Sequence, residues 1–286
     1  MGNKLLLWRR LPTCLSAGVL AAVAVVVPAA GAGAGAAAGA NGAAAGASES
    51  AAAGQRGTVP PGHPALSLPN SALLTSCGPG DDGIACNQVA LAAVNNARRT
   101  LEKRGGMSFS LPAYAKLTPV RQLFVVVNLE RTGRGLAPAV VLSRSLDKVA
   151  QAGARAGRDP AMASVPRYLP GGGRIVYAGA NWSGGWVNPL GADYAWMYDD
   201  GPGGSNLDCR TATSRLCWGH RDIILAGPGG HASCSGATTL AMGAGHAAAA
   251  GGYRESDTVL IAVVRGPAPT DAAFTWAKAR KLLHIG

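Results

Sequence analysis

A low-complexity segment near the start of the chain limits the folded part of the protein to the residues that follow it. Residues 31–62 consist almost entirely of Ala, Gly, Ser and Pro, a composition that offers little apolar surface to bury. We therefore expect a flexible linker at residues 33–64 and a folded part that begins near Ala65. That part is about 200 residues long, which is enough for a single hydrophobic core.

The residues ahead of the linker have the pattern of an export signal. A positively charged start precedes an apolar stretch at residues 11–27, and small residues at 30–32 offer a cleavage site. This pattern predicts that residues 1–32 are a signal peptide and that the mature protein is secreted. A retained membrane anchor is the alternative, because the apolar stretch is just long enough to span a bilayer.

The charge balance of the chain is strongly positive. Lys and Arg number 26 against 15 Asp and Glu, a formal net charge of +11, and loss of Lys4, Arg9 and Arg10 with the signal would leave +8. The other cations are dispersed, apart from small groups at residues 98–99, 103–104 and 278–281, and lack interleaved aromatic residues. We therefore expect no nucleic-acid partner, but either solvated helix faces or a mild attraction to an anionic cell surface. The body of the chain has no bilayer-length apolar stretch and no fixed-period repeat, which excludes multi-pass membrane proteins and repeat arrays.

The cysteines beyond the signal form two close pairs, with one left over: Cys77 and Cys86, Cys209 and Cys217, and Cys234. Each pair flanks a polar loop, and export favours disulfides over free thiols. We therefore predict one disulfide within each pair, with Cys234 either free and buried or exchanged into another pairing. A zinc site that combines Cys217 with His220, three residues further on, is the less favoured alternative.

Capping residues and apolar spacing predict an α+β domain in which most helices precede most strands. One helix starts at Thr118 and Pro119 and another at Asn188 and Pro189, each with a cap residue before a proline. The other predicted helices cover residues 87–104, 145–156, 220–225 and 271–283, and the predicted strands cover 175–177, 238–242 and 259–264. The last strand is almost all apolar, so we expect it to be central in its sheet.

Five short motifs occur in order along residues 117–264. They are an Asn-x-x-Arg helix that ends in Gly-Leu-x-Pro (128–138), a Leu- and Ala-rich helix (146–154), Gly-Ala-Asn (179–181), Trp-Met (196–197) and Gly-His-Arg-Asp-Ile-Ile-Leu (219–225). This ordered set resembles the secreted bacterial branch of the CAP superfamily, also called the SCP domain. The resemblance implies a three-layer α-β-α sandwich at residues 117–268, with a helical extension before it (65–116) and a helix after it (269–286).

The resemblance also implies a surface cleft with a site of two histidines and two acidic residues, which holds a divalent metal in some members. Here His220 and Asp199 match two of these positions, Ala180 replaces one acidic residue, and the second histidine has no counterpart. Because two ligands are too few for a stable site, we expect no metal and no other cofactor. Trp182 and Trp186 complete the predicted ligand cleft, since one of them could line an apolar or sugar-binding surface.

These observations predict a secreted, non-enzymatic binding or cell-surface interaction module whose partner is a lipid, a glycan or a cell-wall component. One alternative is a hydrolase in which Asp199 orients His220 as the general base. The available serines, none of them in a Gly-x-Ser-x-Gly elbow, are Ser183, Ser205, Ser233 and Ser235. The other alternative is a structural envelope protein without a ligand. His231 and His246 lack ligand-like spacing to His220, so we interpret them as surface histidines.

Overall fold

The computed structural model describes residues 62–211, 214, 217–225 and 238–286. The predicted signal peptide and nearly all of the predicted linker lie outside these residues, as do His231, Ser233, Cys234 and Ser235. The described part is a mixed α/β structure with a five-stranded sheet. No helix within it is long and apolar enough to cross a bilayer.

Among the described residues, four helices precede the first strand, and three of the five strands follow one another near the end of the chain. The helices are α1 (Ser71–Ser76), α2 (Ile84–Glu102), α3 (Leu111–Tyr114), α4 (Pro119–Thr132), α5 (Arg144–Ala156), α6 (Pro189–Tyr198), α7 (Gly219–Leu225) and α8 (Trp276–Leu283), with a 3₁₀ turn at Met162–Ser164. The strands are β1 (Ala139–Ser143), β2 (Arg174–Gly184), β3 (Thr238–Ala247), β4 (Ser256–Arg265) and β5 (Ala272–Thr275).

The sheet has the strand order β2-β4-β3-β1-β5, in which β1 and β3 are parallel and the other neighbours are antiparallel. Strand β4 lies between β2 and β3, so the predicted central strand at residues 259–264 is confirmed. Successive side chains of β4 point to opposite faces. Val259, Ile261 and Val263 join the core that includes α4 and α6, while Leu260 and Ala262 join a second core that includes α5.

Helix α5 lies unusually close to β3 because two glycines of the strand face it. A Cβ atom on Gly243 would lie 2.3 Å from the main-chain carbon of Leu146, and one on Gly245 would lie 2.5 Å from that of Ala150. Real Cβ atoms essentially never approach that closely. The absence of side chains at these two positions therefore sets the distance between helix and sheet.

Several predicted boundaries are wrong. Helix α2 begins at Ile84 rather than at Asn87, whose amide donates instead to the carbonyl of Asp82 (2.8 Å). The predicted helix at 271–283 starts late, because residues 272–275 pair with β1 as β5 and Thr275 then caps α8 by accepting from the N–H of Lys278. The predicted strand at 175–177 is part of an 11-residue strand, since β2 pairs with β4 over its whole length.

Both predicted cysteine pairs are at bonding distance in the structure. Cys77 and Cys86 have Cα atoms 5.8 Å apart, and those of Cys209 and Cys217 are 4.5 Å apart. Cys217 is therefore bound to another sulfur rather than placed with His220 as a zinc ligand. The pairing of Cys234 lies outside the described residues.

Candidate functional site

His220 pairs with Asp200 and not with Asp199, the carboxylate that the motif pattern predicts. Helix α6 ends at Tyr198, and the chain then turns so that the Asp200 carboxylate accepts the N–H of His220 (2.8 Å) while its other oxygen lies 2.5 Å from Nδ1 of the ring. Asn206 donates to the same carboxylate (2.8 Å). Burial raises the pKa of Asp200, and the contact with His220 acts in the opposite direction. The result is a histidine whose ring orientation is fixed by a buried carboxylate.

This pair has the geometry of a general base and its orienting acid, but it is closed to solvent. His220 and Asp200 are both 0% exposed. A general base must come within about 3 Å of the proton that it removes, so a substrate would first have to open the structure. Asp199 faces Ser205 instead, and burial raises the pKa of Asp199 to about 6.

The two tryptophans of the predicted cleft are buried and serve packing. Trp182 is 3% exposed and Trp186 is 2% exposed. The indole N–H of Trp182 donates to Ser256 Oγ (2.9 Å), which donates in turn to the carbonyl of Ala154 in α5 (2.7 Å). Trp182 therefore ties β2 and β4 to α5, and neither tryptophan offers a surface on which a sugar could stack.

Residues 63–68, which we call the strap, pack against α7, α6 and the turn that follows α6. The ring of His63 lies beside Trp218 (centroids 6.2 Å apart) and its Nε2 is 2.7 Å from a carboxylate oxygen of Asp222 in α7. Further along, the main-chain N–H of Leu68 donates to the carbonyl of Tyr198 (2.8 Å), and Ser67 Oγ accepts the N–H of Gly201 (2.8 Å). The strap thus spans α7, the turn after α6, and α6 itself.

The remaining motif residues hold elements together rather than line a cavity. Asn128 exchanges two hydrogen bonds with the main chain of Ala139, at 2.7 and 3.1 Å, which fixes the start of β1 on α4. Arg131 donates to the carbonyl of Ile224 (2.6 Å), and Asn181 donates to that of His220 (2.8 Å). The Asn-x-x-Arg and Gly-Ala-Asn motifs therefore anchor α7 from two sides.

A buried ion-pair network joins α2, α4 and α6. Glu130 is fully buried and contacts Arg98 Nη1 (2.5 Å), the hydroxyl of Tyr198 (2.5 Å) and the guanidinium of Arg134. Arg134 also donates to Glu102 through Nη2 (2.6 Å). Burial raises the pKa of Glu130, but Arg134 and Arg98 outweigh it, so the pKa lies below its usual value. Asp193 of α6 is also buried beside Glu130, and burial together with the charge of Glu130 raises the pKa of Asp193 well above its usual value. The network serves to fix the helices.

A second cluster, which the sequence interpretation missed, lies where β3 ends and β4 begins. Nδ1 of His246 is 3.2 Å from Oε1 of Glu255 and 3.1 Å from Oδ1 of Asp257. The histidine side chain is 19% exposed, whereas the two carboxylates are almost completely buried. Asp82, from the loop that the Cys77–Cys86 disulfide closes, adds a third carboxylate in electrostatic contact. The interpretation of His246 as an ordinary surface histidine is therefore wrong.

Burial and hydrogen bonding raise the pKa values of Glu255 and His246 in this cluster. Burial raises the pKa of Glu255 to about 8. Burial would lower the pKa of His246, but hydrogen bonds to Asp257 and Glu255 outweigh it and raise that pKa to about 10. The sequence contains one indication of this cluster, since two acidic residues lie within the four positions before the predicted strand at 259–264. They meet His246 because β3 continues to Ala247, five residues beyond its predicted end, and pairs His246 with Asp257.

Comparisons with known proteins give no relative from which a function could be carried over. No protein-family model matches this chain, and neither a curated protein nor a solved structure does. Function must therefore be inferred from the residues and geometry of the chain itself.

Proposed function

We propose that the protein is a secreted, CAP/SCP-like three-layer α-β-α domain that works by binding at the cell surface and not by catalysis. Its expected partner is an anionic polymer of the cell wall. The packing of helices on both faces of one sheet supports the layer arrangement. Two disulfides and a mature charge that stays positive suit a protein that acts outside the cell.

The burial of His220 speaks against catalysis at the predicted site. Its ring is held by Asp200, and both residues are closed to solvent. The two tryptophans expected to line the cleft are equally buried. The hydrolase alternative therefore lacks an accessible base, and a sugar-binding cleft lacks an accessible aromatic platform.

The main observation behind the proposal is that more carboxylates than cations are buried, so the cations remain at the surface. Many carboxylates are buried: Glu130, Asp159, Asp193, Asp199, Asp200, Glu255 and Asp257. Fewer cations are buried with them: Arg98, Arg131, Arg134 and Arg221. Exposed cations remain on several helices: Arg99, Arg144, Lys148, Arg155, Lys278, Arg280 and Lys281. The surface is therefore more cationic than the composition alone indicates, which favours an anionic partner.

A column of immobilised polyglycerol phosphate tests the proposal. The mature protein should be retained at low salt and released at about 0.5 M NaCl, because salt screens contacts between exposed charges. The triple variant Lys278→Glu, Arg280→Glu, Lys281→Glu should elute at clearly lower salt, since it reverses three exposed charges on one helix.

The matched control exchanges the same residues without changing their charge: Lys278→Arg, Arg280→Lys, Lys281→Arg. It should elute with the unmodified protein. Passage of the unmodified protein through the column at low salt would contradict the proposal. So would equal retention of the charge-reversed and charge-conserving variants.

A further inference from the structure

We propose that His246, Glu255 and Asp257 form a binding site for one divalent transition-metal ion, with Zn²⁺ as the expected occupant and with Asp82 and Ser183 beside it. None of these five residues is a position at which the CAP resemblance implies a metal ligand. The proposal is also independent of binding to an anionic polymer, because it rests on different residues.

The first support is the geometry of the three side chains. One donor atom from each lies within 4.8 Å of the other two, and Nδ1 of His246 is 3.1–3.2 Å from one oxygen of each carboxylate. Donors that share one zinc ion lie about 3–4 Å apart, since each is about 2.0–2.2 Å from the metal. The ladder between β3 and β4 places His246 directly opposite Asp257, so rigid strands fix this spacing.

The second support is that no arginine or lysine is paired with the two buried carboxylates among the described residues. Glu255 and Asp257 are 2% and 1% exposed, and the ion pairs of the described residues join them to His246 alone. Glu130, by contrast, has two arginines. Buried carboxylates are stable only when they are paired, protonated or bound to a metal. A divalent cation would replace the protons of His246 and Glu255 that balance these carboxylates in the metal-free protein.

The third support is a buried hydroxyl without a partner. Ser183 lies directly opposite Asp257 in the β2–β4 ladder, so both side chains project from the same face of the sheet. Ser183 is 1% exposed, and neither its Oγ nor Oδ2 of Asp257 has a hydrogen-bond partner among the described residues. Since buried polar atoms are nearly always hydrogen-bonded, a bound ion or its water would satisfy both of these atoms.

The type of donor selects the class of metal. A ring nitrogen combined with carboxylate oxygens suits Zn²⁺, whereas Ca²⁺ and Mg²⁺ prefer oxygen atoms only. The disulfide loop, which contains Asp82, lies next to Glu255. In that loop the N–H of Gly80 donates to the carbonyl of Val187 (2.8 Å), and a Cβ on Gly80 would lie 3.4 Å from Oε2 of Glu255. A bound ion would therefore link this loop to the end of the sheet.

The test uses the mature protein with both disulfides intact and no affinity tag. After treatment with a chelator, it is titrated with ZnCl₂ by isothermal calorimetry, and bound metal is counted by elemental analysis after gel filtration. We expect one zinc per chain and a higher melting temperature in its presence. His246→Ala should weaken the Kd at least about tenfold, and His284→Ala, which removes an exposed histidine at the end of α8, should not change it.

Asp257→Asn is a second test variant, because it keeps the size of the side chain while removing its charge. It should also weaken zinc binding about tenfold or more, with an unchanged circular dichroism spectrum. CaCl₂ in place of ZnCl₂ should give little heat. The proposal is overturned if the protein retains no zinc, or if zinc binds to both site variants as tightly as to the unmodified protein.

Discussion

Replacement of Glu130 by Gln should strongly destabilise the fold, because it removes the charge at the centre of the buried network. Glu130 contacts Arg98, Arg134 and Tyr198 and is 0% exposed. Without it, the carboxylate of Glu102 would remain to balance the buried guanidinium groups of the network. The amide of Gln can accept a hydrogen bond, but the buried positive charge is then compensated only by Glu102 and by ionisation of Asp193, whose pKa falls once the charge of Glu130 is gone.

The expected loss is about 3–5 kcal/mol in the free energy of unfolding, which is typical when one partner of a buried ion pair is removed. For a domain of this size, each kcal/mol lowers the melting temperature by about 2–4 °C, so a decrease of about 6–20 °C follows. Because the pKa of Glu130 lies below its usual value when folded, its contribution is present above the unfolded pKa. It is lost as the pH falls through the folded pKa.

Urea denaturation at neutral pH, followed by circular dichroism, measures this loss. Arg99→Gln is the matched control, since Arg99 is the exposed neighbour of Arg98 and its loss should change stability by less than about 0.5 kcal/mol. A double-mutant cycle with Arg98→Met should show coupling between the two sites. A loss below about 1 kcal/mol for Glu130→Gln would refute the view that this network depends on the charge of Glu130.

Two further predictions concern the disulfide loop and a buried carboxyl. Replacing Cys77 and Cys86 by Ser should lower the free energy of unfolding by about 2–3 kcal/mol, as expected for a short closed loop, and an unchanged urea midpoint would contradict this. Burial raises the pKa of Asp147 to about 7, so its stabilising effect is present at low pH and is lost as the pH rises through that value. Asp147→Asn should therefore be more stable than the unmodified protein above pH 7, because Asn can still accept from the N–H of Ala244. Melting curves at pH 5 and pH 8 would show no such difference if Asp147 were ionised throughout.

The sequence correctly predicted the helices whose first residues themselves determine where the helix begins. Helices α4 and α6 start where expected, because Thr118 and Asn188 each precede a proline that cannot donate within a helix. The β5 strand was missed because residues 272–275 are rich in Ala, and only pairing with β1 makes them a strand. Such tertiary pairing is invisible in local propensity.

The sites were harder to predict than the helices and strands, because the side chains of neighbouring residues point in different directions. The motif spacing indicated Asp199 as the partner of His220, but the turn after α6 directs Asp200 to the imidazole instead. His246 was interpreted as a surface histidine because it lacks ligand-like spacing to His220 in a Gly-rich segment. Its pairing with Asp257 depends on how far β3 continues, which composition does not show.

The contact of α5 with β3 has a consequence for how this protein can vary. The atoms that face Gly243 and Gly245 belong mainly to the main chain of the helix. A larger residue at either glycine therefore cannot be compensated by a smaller one at Leu146, Ala150 or Gln151, since shortening those side chains leaves the main chain in place. In homologues that keep this packing, we expect both positions to remain glycine even where the facing helix residues change freely.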